Sequence, residues 1–271
     1  MTDLNPHMSQ MADPSMVRTL DAQTRAIWPQ ESGMFRRYGL SGAFRVLDAG
    51  CGTGEMSSRL AEHFPDATVL GVDVLDGSLA LARTRCDALA PRLRFENRSV
   101  FELGLPDASF DLTVCRHVVH SIPHADRVYA ELRRVTRPGG WLHLIAEDYD
   151  MLHFQNGAVD PSVFWYEAPR GFGAATGTDL HVGRNTYGML VDLGLTDITV
   201  DYVVVDTLRV PREIFAEIIT AWRDGYAEAV AGVTRFSPAE ATAHFDQMIA
   251  DIRDPRRYAV WMVPVIGARV P

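Results

Sequence analysis

Asp48, Gly50, Gly52 and Gly54 stand at alternate positions in the run Val46-Leu47-Asp48-Ala49-Gly50-Cys51-Gly52-Thr53-Gly54-Glu55-Met56-Ser57, and their types and spacing point to ligand binding. An apolar, β-prone stretch closes on an acid, three glycines follow, and Ser57, Leu60, Ala61 and Phe64 then take up helical spacing. The segment predicts a strand, a tight turn and a helix start. Glycine belongs where the backbone needs unusual dihedrals or where a ligand comes too close for a Cβ. The following helix N-terminus leaves amide donors facing the same space. A dinucleotide site usually shows Gly-x-Gly-x-x-Gly and seats a pyrophosphate on the helix dipole, whereas here the glycines alternate behind an acid. A carboxylate at Asp48 repels a phosphate and welcomes a cation. The plain alternative is a structural turn that merely packs close.

Thr68 to Asp73 forms a second short apolar run closing on an acid, about twenty residues after the glycines, where a nucleotide-binding βαβ unit sets a carboxylate against ribose hydroxyls. Taken singly, Asp73 could instead be a solvated acid or cap a helix starting near Asp76. A third strand follows at Leu93 to Ser99, within Phe95-Glu96-Asn97-Arg98-Ser99-Val100-Phe101. Beyond it stand Leu105-Pro106-Asp107-Ala108-Ser109-Phe110-Asp111-Leu112-Thr113-Val114-Cys115-Arg116-His117 and Arg137-Pro138-Gly139-Gly140-Trp141-Leu142-His143-Leu144-Ile145.

In this order across residues 46 to 147, these segments resemble the class I S-adenosylmethionine-dependent methyltransferases. The resemblance implies S-adenosylmethionine as cofactor, with the loop bearing Asp48, Gly50, Cys51, Gly52 and Gly54 around its methionine moiety. It implies ribose contacts from Asp73 and Val74, and adenine contacts from Ser99 and Val100. Many members carry an acid where this chain has Ser99, so recognition shifts toward the Val100 backbone. Arg116 and His117, ending the fourth strand, complete the expected cofactor set. The implied fold is a doubly wound, Rossmann-like, mostly parallel seven-stranded sheet, its last strand inserted antiparallel, with N-terminal and C-terminal helical cap insertions.

Open α/β sheets bind ligands outside the carboxyl ends of their strands, which selects Arg116, His117 and His120 after the fourth strand. After the fifth it selects Glu147, Asp148, Tyr149 and His153. Glu147, His120 and Tyr149 are the candidate catalytic groups, for removing a proton from the acceptor. Tyr38, Asp148, His153, Phe164 and Trp165 are the candidate substrate contacts, an aromatic wall suited to an indole-like or other heteroaromatic metabolite or a cationic amine. Side-chain alternation sends Glu147 and Asp148 in different directions, so one faces the acceptor and the other caps a turn. Trp165 could equally be core. His117, His120, His153 and Glu147 are also of metal-ligating types, but no ligand framework is recognisable and no metal is assigned.

The elements that must position these groups divide the chain into residues 1–40, an N-terminal helical lid, and 41–271, the main domain. Insertions at about 149–182 and 211–254 form a substrate cap. Residues 1–12 read as polar and loosely docked or disordered, while Met16, Leu20, Ile27, Trp28, Met34, Phe35 and Tyr38 are expected to fold as helices across the cofactor mouth. Strand and helix alternate from Arg45 to Glu147, which implies a parallel sheet with right-handed crossovers. Leu195 to Thr207 and Tyr258 to Val270 read as closing strands. Pro211 to Asp254 reads as helical, with an apolar stripe at Ile214, Phe215, Ile218, Ile219 and Trp222, and Ser237 to Glu240 as a capping box.

The chain has 271 residues, 47% hydrophobic, and a net charge of -9. Such a balance disfavours nucleic acid, whose phosphates need a basic footprint, and favours a small-molecule partner. Cys51, Cys86 and Cys115 lack paired spacing, which fits a reducing compartment. Without an apolar run of about eighteen residues or a cleavable signal, no membrane association and a cytoplasmic location are expected. The apolar stripes on the inserted helices would suit a homodimer or their own sheet. Two rival functions share the βαβ opening: a nicotinamide oxidoreductase, which wants the other glycine spacing, and a regulatory protein that binds S-adenosylmethionine without transferring its methyl.

Overall fold

A computed structural model describes residues 4–271. Its centre is built by runs that are apolar on both faces, as parallel strands covered by helices on either side require. Strands β1 (Arg45–Ala49), β2 (Thr68–Asp73), β3 (Leu93–Asn97), β4 (Phe110–Arg116) and β5 (Thr136–Ile145) lie parallel in the order β3-β2-β1-β4-β5. Val46, Leu47, Leu112 and Val114 are fully buried. The order reverses beside β1, so β1 and β4 diverge at their carboxyl ends and open the crevice where such sheets bind ligands.

Strands β6 (Leu152–Phe154), β7 (Thr196–Asp206) and β8 (Ala259–Arg269) complete the sheet. β8 runs antiparallel between β5 and β7, as expected. The sheet has eight strands rather than seven, because β6 rejoins it beyond β5: Ala259 to Trp261 pair with β6, and Val265 to Arg269 with β5.

Two layers flank the sheet. Helices α3 (Glu55–His63) and α4 (Asp76–Arg85) cover one face, and α5 (Ala125–Val135) and α7 (Val182–Asp192) the other. A third cluster lies at the carboxyl end, where α2 (Pro14–Glu31), α6 (Pro161–Thr176), α8 (Arg212–Ala231) and α9 (Pro238–Arg253) pack around Phe164, Phe215, Phe245 and Trp261. The α8 stripe of Phe215, Ile218, Ile219 and Trp222 is consumed in this cluster, against its own chain. The α9 capping box is formed: Ser237 accepts from Glu240 N, and Glu240 from Ser237 N. Among the described residues, no helix is long and apolar enough to cross a membrane.

The N-terminal segment departs from a lid. Residues 1–3 of the stretch expected to be loose lie outside those described, but His7 is buried and α1 (Met8–Met11) follows it. Only the first part of α2 reaches the mouth. Its last turn and the 3₁₀ segment Ser32–Tyr38 pass to the side of the sheet, where Phe35 stacks on His143 and Tyr38 on Trp141. A buried polar chain pins them there. Glu31 Oε1 lies 2.9 Å from His143 Nε2 and 2.9 Å from Arg116 Nε, and Tyr38 Oη is 2.7 Å from His143 Nδ1. With Nε2 donating to the carboxylate, Nδ1 accepts and the tyrosine hydroxyl donates. Burial alone would raise the Glu31 pKa, but Arg116 and His143 hold it below its ordinary value.

Removing one member of a buried ion pair leaves the others uncompensated, at about 3–5 kcal/mol. Glu31→Ala is therefore expected to lower the free energy of urea unfolding by about that much. A loss under about 1 kcal/mol, within the range of a single ordinary hydrogen bond, would show that this chain does not anchor α2.

Candidate active site

At the end of β1 the chain folds back over β2: Gly50 N and Cys51 N both donate to Val72 O, at 2.8 and 2.9 Å. Gly50 sits at φ +77°, and a Cβ there would meet Val118 Cγ2 at 2.3 Å, so glycine is obligatory on both grounds. Asp73, at the end of β2, spends its two oxygens on the backbone, taking Gly52 N at 2.9 Å and Leu75 N at 3.0 Å. It thus joins the glycine turn to the start of α4. Asp48 is buried and accepts from Ser57 Oγ at 2.6 Å. Burial pushes its pKa up to about 6, against the pull of Ser57 and Arg116.

Beside this turn lies an open crevice, whose non-atom space, bulk solvent included, is about 740 Å³. Gly50, Gly52, Asp73, Val74, Ser99, Val100, Arg116 and His117 all line it. Asp48 and Cys51 face an adjoining cavity with Gln23, Thr53 and Met56, which shares Gly50, Arg116 and His117. Gly54 lines neither; its φ of +79° starts α3 against Ala82 and Phe95. Burial raises the Cys51 thiol well above its ordinary pKa, leaving it a neutral wall. Ser99 Oγ accepts from Phe101 N at 3.3 Å, so its proton is free to be donated. Arg116 is buried with Nη2 lacking any hydrogen-bond partner. An orphaned donor, a buried acid and a crevice edged by a strand-end carboxylate together fit a ligand with an amino acid head and a nucleoside.

At the ends of β4 and β5 stands a second constellation. His117 Nδ1 contacts Glu147 Oε1, and His120 Nδ1 lies 2.6 Å from Glu147 Oε2. Glu147 is fully buried and lines none of the described cavities. Burial would raise its pKa, but His120 and His117 hold it far below the ordinary carboxylate range. The hydrogen bond from His117 Nδ1 to the carboxylate places any lone pair of that ring on Nε2, whereas the His120 contact is close but lacks hydrogen-bond geometry. His117 Nε2 is buried without a partner, and His120 Nε2 is 3.5 Å from Tyr149 Oη. His117 occupies the left-handed region at φ +58°, a conformation that costs a non-glycine residue about 1–3 kcal/mol and clusters at functional sites.

A small cavity bordered by His117, His120, Tyr149 and Trp222 leads from the crevice to an aromatic cavity of about 490 Å³. Tyr149, Phe164, Trp165, Phe172, Trp222 and Tyr226 form its walls, with Tyr149 stacked on Trp165 at 5.8 Å. Of the groups expected near the acceptor, His120, Tyr149, Phe164 and Trp165 line this cavity, while Glu147 reaches it only through His120. Three do not. Tyr38 is held at the side of the sheet by His143. Asp148 points the other way along the chain, accepting from Arg184 at 2.6 and 2.5 Å and capping the turn at Asp150 N. His153 is exposed on β6. Asp148, Asp150 and His181 form a cluster of metal-ligating types, but Arg184 and Arg170 already engage its carboxylates. Sequence reasoning did not find His7, Gln23 or Tyr226, which lie far from any motif and arrive by helix packing.

The raised pKa of Asp48 sets a pH dependence. The folded protein holds this proton up to about pH 6, whereas an unfolded aspartate releases it near 3.8. The native state thus binds more protons between those values, and stability falls as pH rises through them. Asp48→Asn is expected to flatten that decline and to be more stable than the parent at pH 7, read from urea midpoints at pH 4.5 and 7. An unchanged decline would place the effect elsewhere.

The model of a methyltransferase domain matches residues 46–140. The trans-aconitate 2-methyltransferase of Deinococcus radiodurans is 33% identical over 74% of this chain and 76% of its own length. The demethylmenaquinone methyltransferase of the same organism is 37% identical over 37% of this chain and 42% of its own, so the chain spans under half of that relative. Among solved structures, the phosphoethanolamine N-methyltransferase 2 of Haemonchus contortus, in complex with S-adenosyl-L-methionine, superposes with a TM-score of 0.56 at 21% identity, covering 90% of this chain and 53% of that one. The glycine spacing and Asp48 had already set this loop apart from a nicotinamide site. With the matched domain, the reversed strand order and the antiparallel β8, the chain belongs to the class I S-adenosylmethionine-dependent methyltransferases.

Proposed function

We propose that this protein transfers the methyl group of S-adenosylmethionine to a small, flat, largely apolar acceptor seated in the aromatic cavity, with the His117–Glu147–His120 unit removing the acceptor's proton. One observation carries the reading: His117 and His120, both set against Glu147, border the small cavity that adjoins crevice and aromatic cavity, and His117 Nε2 is buried there without a partner. Glu147 positions both rings and, being ionised, favours the imidazolium that forms when a proton arrives. It acts through them rather than on the acceptor. Asp48, Arg116 and the glycine turn would hold the methionine end of the cofactor, Asp73 the ribose, and Ser99 with Val100 the adenine. When bound, the cofactor supplies a methyl already activated by a sulfonium. The chain's remaining tasks are alignment and exclusion of water, for which α2, α6 and α8 close the cavity.

The cavity's chemistry narrows the acceptor. None of its lining residues is Arg or Lys, which argues against a polycarboxylate such as the substrate named for the trans-aconitate relative, since buried anions need paired cations. An oxygen, nitrogen or acidic carbon on an indole-like or phenolic ring fits walls of Tyr149, Trp165 and Trp222.

Gly50→Ala and Asp73→Ala are expected to weaken S-adenosylhomocysteine at least tenfold by calorimetry. Unchanged affinity in both would overturn the cofactor assignment. Tritium transfer from labelled S-adenosylmethionine to a panel of heteroaromatic acceptors tests the activity. In that assay Glu147→Gln is expected to slow turnover by about 10²–10⁴ with cofactor affinity within twofold. Equal losses of turnover and cofactor affinity would make Glu147 structural.

A further inference from the structure

Among the described residues, His7 alone lines both the cofactor crevice and the aromatic cavity. It comes from the segment ahead of α1, is 2% exposed, and stands edge-on to Phe172 with ring centroids 4.7 Å apart. Its Nε2 lies 3.2 Å from Thr178 Oγ1 and 3.4 Å from Thr176 Oγ1, at the end of α6. Its Nδ1 is buried with no hydrogen-bond partner. Burial lowers its pKa to about 3, with His120 adding to the effect, so the ring is neutral at physiological pH.

The hydroxyl protons around Nε2 can be traced. Thr176 Oγ1 is 2.7 Å from Phe172 O, and a carbonyl only accepts, so the Thr176 proton goes there. The Thr176 and Thr178 hydroxyls are 2.8 Å apart, so the proton between them comes from Thr178. Both threonine protons are then committed, and the contact from Nε2 must be a donation by His7. The neutral ring therefore carries its one proton on Nε2, and its lone pair on Nδ1. A bare acceptor buried in an aromatic wall is costly unless a donor meets it.

We propose that His7 Nδ1 is a specificity-determining contact that accepts a hydrogen bond from an O–H or ring N–H of the methyl acceptor, so that this site selects donor-bearing aromatics over their capped analogues. The proposal rests on the reading of the aromatic cavity as the acceptor site. It adds a recognition element distinct from the His117–Glu147–His120 unit and makes the N-terminal segment part of substrate selection. Thr178, through Nε2, sets the tautomer.

The test measures binding of indole and 1-methylindole to the protein loaded with S-adenosylhomocysteine, by quenching of tryptophan fluorescence with Trp165 and Trp222 in the cavity wall. The unsubstituted protein is expected to bind indole at least about fivefold more tightly, the scale of one buried hydrogen bond. In His7→Phe, measured at saturating S-adenosylhomocysteine, the ratio should fall to near one, chiefly through weaker indole binding. Thr178→Val keeps the ring and its packing but frees the tautomer, and should give a smaller loss of preference. A ratio retained in both variants would show that the methyl is excluded by shape, and would overturn the proposal. So would equal affinities in the unsubstituted protein, or binding of neither indole, both of which leave the cofactor assignment standing. Failure to bind S-adenosylhomocysteine at all would instead remove the underlying reading, and this proposal with it.

Discussion

The arrangement at the mouth of this sheet depends on one buried carboxylate. Glu147 has no access to solvent, and an isolated charge so placed would neutralise itself rather than remain. Two imidazoles keep it ionised, and in return the carboxylate decides which nitrogen of His117 bears a proton. The same cluster that solves a desolvation problem therefore sets His117 and His120 at the edge of the small cavity adjoining crevice and aromatic cavity. It also links β4 to β5 at their carboxyl ends, and the left-handed backbone of His117 is tolerated where His117 N is held by Ile145 O at 3.1 Å.

Around this centre, buried polar groups join elements remote in sequence. Glu31 draws α2 onto His143 and Arg116, and Arg116 in turn presents an unpartnered nitrogen to the cofactor side. Asp73 holds the glycine turn and the next helix with one carboxylate. Asp48 is kept in an environment that resists its ionisation, a state a neighbouring cation would relieve. The crevice is thus edged by buried polar groups whose demands the protein leaves unmet, of the kind expected where binding residues are arranged for a ligand rather than for stability alone.

The aromatic cap has a different logic. α6, α8 and α9 contribute large apolar side chains to one cluster, so closing the site and completing the core are the same event. The polar side chains admitted there include His7, His120, Tyr149 and Tyr226.

The strand–turn–helix of Val46 to Ser57, the acid ending β2 and the parallel order of the first five strands were legible in the sequence, because they rest on local dihedral demands and on apolar periodicity. The same locality singled out Gly50, Asp73 and Ser99, which all line the crevice. Alternation along β5 foretold that Glu147 and Asp148 would part, but not which would meet histidine. That depended on His117 and His120, thirty and twenty-seven positions earlier, being brought alongside by a neighbouring strand. Tyr38 and His153 were misplaced and His7 unseen for a common reason: nothing in their near neighbours encodes where a helix packs or an edge strand turns. The chain by itself determined a methyltransferase turn and the sheet that carries it, since those signals lie within a few residues of one another. Only the tertiary structure decided which imidazoles meet Glu147 and what walls surround the aromatic cavity, because those contacts are made by burial between segments that the sequence keeps tens of residues apart.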